Sequence, residues 1–248
     1  MAEKQQCLNC DSELTTAYCG VCGQKASTHR FSFKEVVITD FMHGIFHLDK
    51  GFFFTLKELV TRPGHSIREY VQGKRASHFS YFTLLVILIT ISFLVSKLAE
   101  INIAEIYQKN GQGVFSEIQA FQSKYPRGFL LVSIPIYSIF SFLFFRKSKL
   151  NFAENMVLNC YRTAAEYLFT IVFYIACVFM KNIDLISVSY AFLQVLVLIY
   201  MIVFYYQFFS EYYQNKILLF LKTVLVSVLI TVMSTVIIIF AIGVYASN

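Results

Sequence analysis

The sequence predicts an all-α, multi-pass membrane protein with a small zinc-ribbon-like module at its N-terminus, and three observations lead to this fold class. Hydrophobic residues make up 57% of the 248 residues, charged residues only 15%, and the mean hydropathy is +0.60, values far from those of soluble proteins. Apolar runs long enough to cross roughly 30 Å of hydrocarbon as helices begin only after residue 78. Four cysteines in two CxxC pairs precede these runs.

The four-cysteine module is expected to occupy residues 1–28 and to bind a structural zinc ion. Its spacing is Cys7-x2-Cys10-x8-Cys19-x2-Cys22, and two tight turns of this kind can deliver four thiolates to one tetrahedral ion. A redox dithiol or a disulfide pair is the alternative, but four closely spaced thiols in a reducing cytoplasm favour metal. With four protein ligands, such an ion would have no open position for catalysis.

Residues 31–78 are predicted to form amphipathic helices next to the membrane. The first helix should start at Ser32, because Ser32 and Glu35 have the spacing of a capping box. Phe31 and Val36 flank that box as a hydrophobic staple. The apolar residues that follow are spaced for one face of a helix that lies beside the membrane rather than across it.

Three residues of metal-binding type share the other face of this predicted helix. Asp40, His43 and His47 lie about one turn apart and can converge on a second metal ion. The glutamate of an HExxH motif is missing between the two histidines. A solvated polar face is therefore the favoured interpretation, and a second metal site is the alternative.

Two further short helices are predicted before the first span. One places Phe52, Leu59 and Val60 on a common side and is ended by Pro63 and Gly64. The other has apolar residues on one face and cations on the opposite face. These helices either lie on the membrane surface or pack on each other and on the spans. In the first case anionic lipid headgroups are the expected contacts of Arg62, Arg68, Lys74 and Arg75.

Five membrane-spanning helices are predicted in the region 79–248. Their ranges are 79–98, 128–145, 164–180, 185–209 and 217–244. The third and fourth are separated by only residues 181–184, so four spans with one re-entrant pair is the alternative. Arginine and lysine gather before the first span and between the second and third, whereas the loop 97–127 is nearly charge-balanced. The positive-inside rule therefore predicts a cytoplasmic N-terminus.

A polar stripe runs along the helix that enters the third predicted span. Asn155, Asn159, Arg162 and Glu166 are spaced at i, i+4, i+7 and i+11, and Arg162 can pair with Glu166. Charges inside a span are costly and usually functional, so the stripe is either an interfacial anchor or the lining of a vestibule or ligand pocket. Lys222 is expected to reach the headgroups or to face Glu166.

Sequence motifs for catalysis are absent: the chain has no P-loop, GxSxG, HExxH or dinucleotide-binding fingerprint. Enzymatic activity is therefore unsupported. A lipid-acting site built from Arg162, Glu166, His43 and Asp49 is the least supported hypothesis. The charges around the four cysteines nearly balance, which argues against nucleic acid as a partner.

Four stretches resemble an uncharacterised family of bacterial membrane proteins, found mostly in Bacteroidetes-type genomes and described as a domain of unknown function. They read CLNC…YCGVCGQK, HLDKGFFFTLKELVTRPG, IREYVQGKR and FAENMVLNCY. The family pattern D-x5-T-x3-L…PG…I-x2-Y-x2-GKR is matched by Asp49, Thr55, Leu59, Pro63, Gly64, Ile67, Tyr70, Gly73, Lys74 and Arg75. The family commonly has a proline after GKR, where this chain continues Ala76-Ser77-His78. The resemblance implies a multi-pass protein of the bacterial inner membrane and adds little on function.

The leading functional hypothesis is a membrane anchor, adaptor or regulatory protein whose zinc ribbon recruits a protein partner. The alternative is a transporter, an oligomeric pore or a membrane effector, for example an antiphage accessory protein, regulated through the ribbon. Few charged residues fall inside the spans, which argues against a coupled ion transporter, whereas an oligomeric pore needs few charges. The expected partners are anionic membrane lipids, a protein bound by the ribbon, and a second copy of the chain.

Overall fold

The computed structural model describes residues 6–34, 36, 51–100, 126–180 and 182–246, and within them the side chains of 126–131 and 237–246 are left out. Several predicted features therefore lie outside the described residues. They are Glu35 of the capping box, the helix body over 37–50 with Asp40, His43, His47 and Asp49, and most of the loop 97–127. Everything below concerns the described part of the chain.

Seven α-helices are described, in an order that follows the sequence prediction closely. They are α1 (Gly51–Thr61), α2 (Pro63–Val71), α3 (Tyr81–Leu98), α4 (Pro126–Phe144), α5 (Phe152–Val178), α6 (Ile183–Phe209) and α7 (Lys216–Ala246). A 3-10 turn, Arg146–Ser148, lies between α4 and α5. Pro63 occupies the first turn of α2, where a missing backbone N–H costs nothing.

Local capping explains where α5 and α6 begin. The Asn151 side chain accepts a hydrogen bond from the Glu154 backbone N–H, and the Glu154 carboxylate accepts one from the Asn151 backbone N–H, both at 2.8 Å. This reciprocal pair satisfies two N–H groups that the helix leaves without partners. Asn182 caps α6 in the same region of the sequence where a tight connection was predicted.

Within the described residues, three helices are long and apolar enough to cross a membrane: α3, α6 and the Lys216–Val236 part of α7. Their length and composition indicate a membrane protein. The α4 helix has a shorter apolar stretch, Val132–Phe144, and α5 carries the polar stripe among its 27 residues. The predicted total of five spans stays a prediction.

The five long helices form one bundle in which five helix ends meet on the same side. α5 packs against α3, α4 and α6, and α7 packs against α4 and α6. The rings of Phe145 and Phe209 stack at a centroid distance of 3.9 Å, and the Tyr161 hydroxyl donates to the Phe79 carbonyl at 2.5 Å. Lys222 Nζ donates to the Phe144 carbonyl at 3.0 Å. We call this side the ribbon end of the bundle, because the four-cysteine ribbon (residues 6–28) is attached here.

The two short helices α1 and α2 pack on each other and on the ribbon end. The Tyr200 hydroxyl donates to the Leu59 carbonyl at 2.8 Å in a buried contact. At Gly64, α2 approaches α6 so closely that an added Cβ would lie 2.3 Å from the Phe204 carbonyl oxygen. Packing on the spans, one of the two interpretations, thus describes these helices. Of the residues predicted to share one side of α1, Phe52 and Leu59 are buried and Val60 is exposed.

Candidate functional site

The ribbon (residues 6–28) consists of two turns with matching hydrogen bonds. In the first, Cys7 N donates to Ser12 O and Asp11 N donates to Cys7 O, both at 2.9 Å. In the second, Cys19 N donates to Gln24 O at 2.8 Å and Gly23 N donates to Cys19 O at 2.9 Å. The residue after the last cysteine of each turn has positive φ, 57° at Asp11 and 75° at Gly23. Aspartate and glycine are residues that tolerate this conformation.

The two turns bring the four cysteines together as a candidate metal centre. Their Sγ atoms all lie within 4.8 Å of one another, and the Cys7–Cys22 and Cys10–Cys19 pairs are both 3.5 Å apart. A tetrahedral zinc ion with Zn–S bonds of about 2.3 Å needs thiolates about 3.8 Å apart. The four thiols are thus at nearly the spacing that a tetrahedral metal ion requires.

Ser12 gives this centre a polar neighbour. Its Oγ lies 3.0 Å from the Sγ atoms of both Cys10 and Cys19. The Ser12 hydroxyl lowers the pKa of Cys19 to about 5 and also lowers the pKa of Cys10. Burial instead raises the pKa of Cys22 to about 11. Metal ligation requires thiolates, so the Ser12 contact favours the ligating form at two of the four positions.

A buried glutamine fastens the ribbon to the segment after α2. Gln24 Nε2 donates to the Gly73 carbonyl at 2.8 Å, and Gln24 Oε1 accepts from the backbone N–H groups of Arg75 and Ala76 at 2.9 and 3.1 Å. Leu8, from the first turn, lies so close to Gly73 that an added Cβ would meet its Cδ1 at 2.8 Å. Gly73 has a φ of 114°, a conformation that favours glycine. We call this set of contacts the Gln24 clamp.

The chain that leaves the ribbon is fixed to both the platform and α5, where the platform is residues 51–78. Arg75 donates to the His29 carbonyl at 2.8 Å, and its guanidinium lies 3.6 Å from the Phe31 ring centroid. Arg30 forms a two-pronged ion pair with Glu154 at 2.6 and 2.7 Å. The ribbon is therefore held to the bundle by contacts on two sides.

The four cations predicted to contact lipid headgroups have different surroundings. Arg62 pairs with Glu58 and Glu69, and Arg75 belongs to the contacts just described. Lys74 is exposed. Arg68 is buried: it donates to the Gln207 and Phe208 carbonyls at 2.7 and 3.2 Å and pairs with Glu211 at 2.6 Å. Its position near the last carbonyls of α6 makes it a helix cap, not a surface cation.

The polar stripe of α5 forms a buried network. Asn155, Asn159 and Arg162 are each at most 1% exposed. Arg162 is paired with Glu166, and it also donates to Asn159 Oδ1 at 3.3 Å and to Thr163 Oγ1 at 3.1 Å. Its guanidinium stacks over a ring of α4 and touches a thioether of α6. Each nitrogen of the Arg162 guanidinium thus has a hydrogen-bond partner.

Neighbouring helices complete the network through residues that the sequence analysis did not single out. Tyr205 of α6 donates to Asn159 Oδ1 at 2.6 Å. Asn159 Nδ2 donates to Ser141 Oγ of α4 at 3.0 Å, and Ser138 Oγ donates to the Asn155 carbonyl at 3.3 Å. The structure therefore packs Asn155, Asn159 and Arg162 between helices, and Arg162 is paired with the partly exposed Glu166 at the end of the stripe. Lys222 caps the end of α4. Within the described residues it is not paired with Glu166, which pairs with Arg162 instead.

The residues of the Gln24 clamp and the Gly64 contact were likewise not predicted as functional positions. The sequence does contain short motifs at these positions: GQK directly follows the fourth cysteine of the ribbon, and PG and GKR lie in the platform. Which of these motifs meet each other depends on the tertiary fold. Cys160 and Cys177, by contrast, are buried in α5, where a free cysteine behaves as a small apolar residue.

Comparison with known proteins gives one match. A family described as a protein of unknown function (DUF3667) matches residues 49–93, a range that covers α1, α2, the clamp segment and most of α3. Neither a search of curated proteins nor a search of solved structures finds a match. The chain is therefore similar to an uncharacterised family over the part that joins the ribbon to the first membrane helix.

Proposed function

We propose that this protein is a membrane-anchored adaptor of the bacterial inner membrane, whose zinc ribbon faces the cytoplasm and binds a protein partner. One observation carries the proposal: the ribbon is clamped to the platform by the buried Gln24 and still presents exposed apolar side chains outward. A module that served only to complete the fold would have no need of such a surface. The zinc ion is structural in this proposal.

The outward surface of the ribbon lies on its second turn. Val21 is 77% exposed and Tyr18 is 59% exposed, and both flank cysteines of the candidate metal centre. Exposed aromatic and aliphatic side chains on a rigid support are typical anchors of protein interfaces. Because the ribbon has too few buried apolar residues for a core of its own, the metal would fix the position of this surface.

The attachment of the ribbon suits a role in which position matters. The clamp uses both hydrogen-bonding ends of one amide, so it sets the orientation of the ribbon on the platform. The platform in turn is packed on α6 through Gly64 and Arg68. A partner that binds Tyr18 and Val21 would therefore be held at a fixed place against the membrane surface.

Photocrosslinking in cells tests the adaptor function. A benzoylphenylalanine placed at Val21 should give a discrete protein adduct on illumination, and Cys19→Ser should abolish it. The matched control is the same probe at Phe179, an 83% exposed residue just after α5, away from the ribbon end. An adduct of equal yield at both positions, or none at Val21, would contradict the proposal.

The Gln24→Ala variant tests whether the clamp matters to the adaptor. It removes the contacts to Gly73, Arg75 and Ala76 but no metal ligand. We expect full metal content, with a changed or weakened Val21 adduct because the ribbon is no longer oriented. Gln72→Ala, at an exposed neighbouring position, is the control. An unchanged adduct in Gln24→Ala would show that orientation has no role.

A second candidate function, a transporter or oligomeric pore, is favoured by a different observation. Arg162 and Glu166 form an ion pair inside the bundle, and ionisable residues within membrane helices commonly mark ion or substrate pathways. Purified protein in liposomes should then pass ions or small solutes, and Glu166→Gln should change the flux. Absence of flux in the wild-type protein would leave the adaptor as the better proposal.

A further inference from the structure

We propose that a cavity at the ribbon end of the bundle binds the headgroup of an anionic phospholipid. The cavity has a volume of about 370 Å³ and lies between the 3-10 turn after α4 and the loop from α6 to α7. Pockets of roughly 300–1,000 Å³ are the size that small ligands occupy. This site differs from the four cations that the sequence suggested, and it goes beyond the adaptor function.

One lysine, Lys147, lines the cavity, and a second, Lys222, lies near the Tyr213 ring that forms part of its wall. Lys147 Nζ lies 5.8 Å from the centroid of the Tyr213 ring, and Lys222 Nζ lies 5.3 Å from the same centroid. Within the described residues neither lysine forms an ion pair with a carboxylate. Glu211 also lines the cavity, but its carboxylate is paired with Arg68 at 2.6 Å. The unpaired charge at the cavity is therefore positive, which favours an anionic ligand.

The cavity lies at the ends of helices that are long and apolar enough to cross a membrane, since its lining runs from Glu211, just after α6, to Leu218, in the first turn of α7. Lys222 belongs to the first turns of a helix that can cross the membrane, and it donates to the carbonyl of Phe144, the last residue of α4. The cavity thus opens where membrane helices end. Basic pockets at this level between helices are where phospholipid headgroups bind.

Apolar side chains beside the cavity distinguish a lipid from a soluble phosphate. Ile217 and Leu221 are 76% and 59% exposed on α7, one turn apart, and Leu143 is exposed on α4. Leu218 lines the cavity itself. A headgroup in the cavity would therefore have its acyl chains next to apolar surface, whereas a free phosphate would gain nothing from it. The polar groups of Gln214 and Asn215 can meet the hydroxyls of a glycerol headgroup.

Lipid binding to the full-length, metal-loaded protein in detergent tests the proposal by native mass spectrometry. Short-chain phosphatidylglycerol should bind at least about tenfold more tightly than phosphatidylcholine. The Lys147→Gln/Lys222→Gln double variant should lose most of this preference. The matched control is Lys57→Gln/Lys97→Gln, which removes two exposed lysines elsewhere and should change nothing. Equal binding of both lipids, or an undiminished preference in the first double variant, would overturn the proposal.

Two further arms keep the test decisive. Inorganic phosphate and glycerol phosphate should not displace phosphatidylglycerol, and displacement at millimolar concentration would overturn the lipid assignment in favour of a soluble ligand. If the double variant does not fold, Lys147→Gln alone serves, because Lys147 caps no helix, unlike Lys222. Loss of lipid selectivity with an intact Val21 crosslink would support this site independently of the adaptor function.

Discussion

The ribbon and the Arg162 network are both clusters of polar residues, but they are ordered by different means. In the ribbon, four thiols converge with few buried apolar residues around them, so in our proposal a bound metal ion would supply most of the stability. In the network, the partners of Arg162 are side chains of α5 itself and of the helices packed against it. The stability of the ribbon would therefore depend on a metal ion that can be removed, whereas that of the network would not.

The platform connects the ribbon to the bundle that contains the Arg162 network. Because of this connection, a change in the ribbon can affect the bundle. It is clamped to the ribbon through Gln24 and packed on α6 through Gly64. Within the described residues, a change in the ribbon can reach the bundle through these contacts, through the Arg30–Glu154 pair, and through Phe31, which packs on Tyr81 and accepts a hydrogen bond from Asn151. Substitutions in the ribbon, in the network and in the platform contact can therefore be compared.

Removal of one metal ligand should have the largest effect. Cys19→Ser should lower the metal content from one ion per chain to none, because a serine hydroxyl is a poor substitute for a thiolate ligand. Loss of the ion would remove the roughly 10–16 kcal/mol that a structural zinc ion contributes to the fold it holds. Metal analysis and limited proteolysis measure this, and cleavage should become rapid within residues 6–28 only. Cys160→Ala, a buried cysteine of α5, is the control and should keep its metal. Retention of metal in Cys19→Ser would refute the four-thiolate centre.

Breaking the network should destabilise the bundle and spare the ribbon. Arg162→Ala leaves Glu166 without its ion-pair partner and removes one hydrogen bond from Asn159, which costs about 3–5 kcal/mol for a largely buried pair. For a chain of this size that lowers the midpoint of thermal unfolding by roughly 6–20 °C. The double variant Arg162→Met/Glu166→Gln should recover more than half of the loss. Arg146→Met, at an exposed cation, should unfold like the wild type.

The sequence was most informative about the ribbon, because its signal is local. Two CxxC turns are each defined by a few consecutive residues, so Cys7, Cys10, Cys19 and Cys22 could be grouped without knowledge of the tertiary fold. The same holds for the break before Pro63 and for the apolar helices α3 and α6. Their periodicity and length are properties of the chain alone.

The sequence was least informative about polar residues whose partners are distant along the chain. Arg68 looked like a surface cation beside Gln72, and its partners proved to be the carbonyls at the end of α6, about 140 positions away. The stripe on α5 was correctly grouped by helical spacing, but spacing cannot tell whether other helices cover it. Tyr205 and Ser141 do cover it, and neither residue type is distinctive in an apolar span.

The contact between platform and bundle should be sensitive to a single methyl group. Gly64→Ala would place a Cβ 2.3 Å from the Phe204 carbonyl oxygen and 2.4 Å from the Phe208 nitrogen, and both are backbone atoms of α6 that cannot turn away. Overpacking of this kind costs about 1–3 kcal/mol, or roughly 2–12 °C in thermal unfolding. Gly20→Ala is the control, since nothing lies within 4 Å of its added Cβ. Equal unfolding temperatures for the two variants would contradict the close approach.

The smallest expected effect is a pH dependence at His78, in the platform. Burial lowers its pKa below the ordinary 6.5, and its ring contacts Phe54 and Tyr70 while Nε2 hydrogen-bonds Ser66 at 2.8 Å. Above pH 6.5 the imidazole is neutral in both folded and unfolded chains, so its contribution to stability is fully present. As pH falls below 6.5 the unfolded chain takes up the proton first, and stability is lost until the lowered pKa is passed.

Unfolding temperatures measured at pH 7.5 and 5.5 should therefore differ in the wild type and differ less in His78→Gln, which can still hydrogen-bond Ser66. His65, on α2, also has a lowered pKa because of burial, but it lies beside Arg68 at the α6 contact. The His65→Gln variant consequently separates the two histidines. If His65→Gln abolishes the pH dependence and His78→Gln preserves it, the titrating group lies at the α6 contact, and the turn between α2 and α3 is not involved.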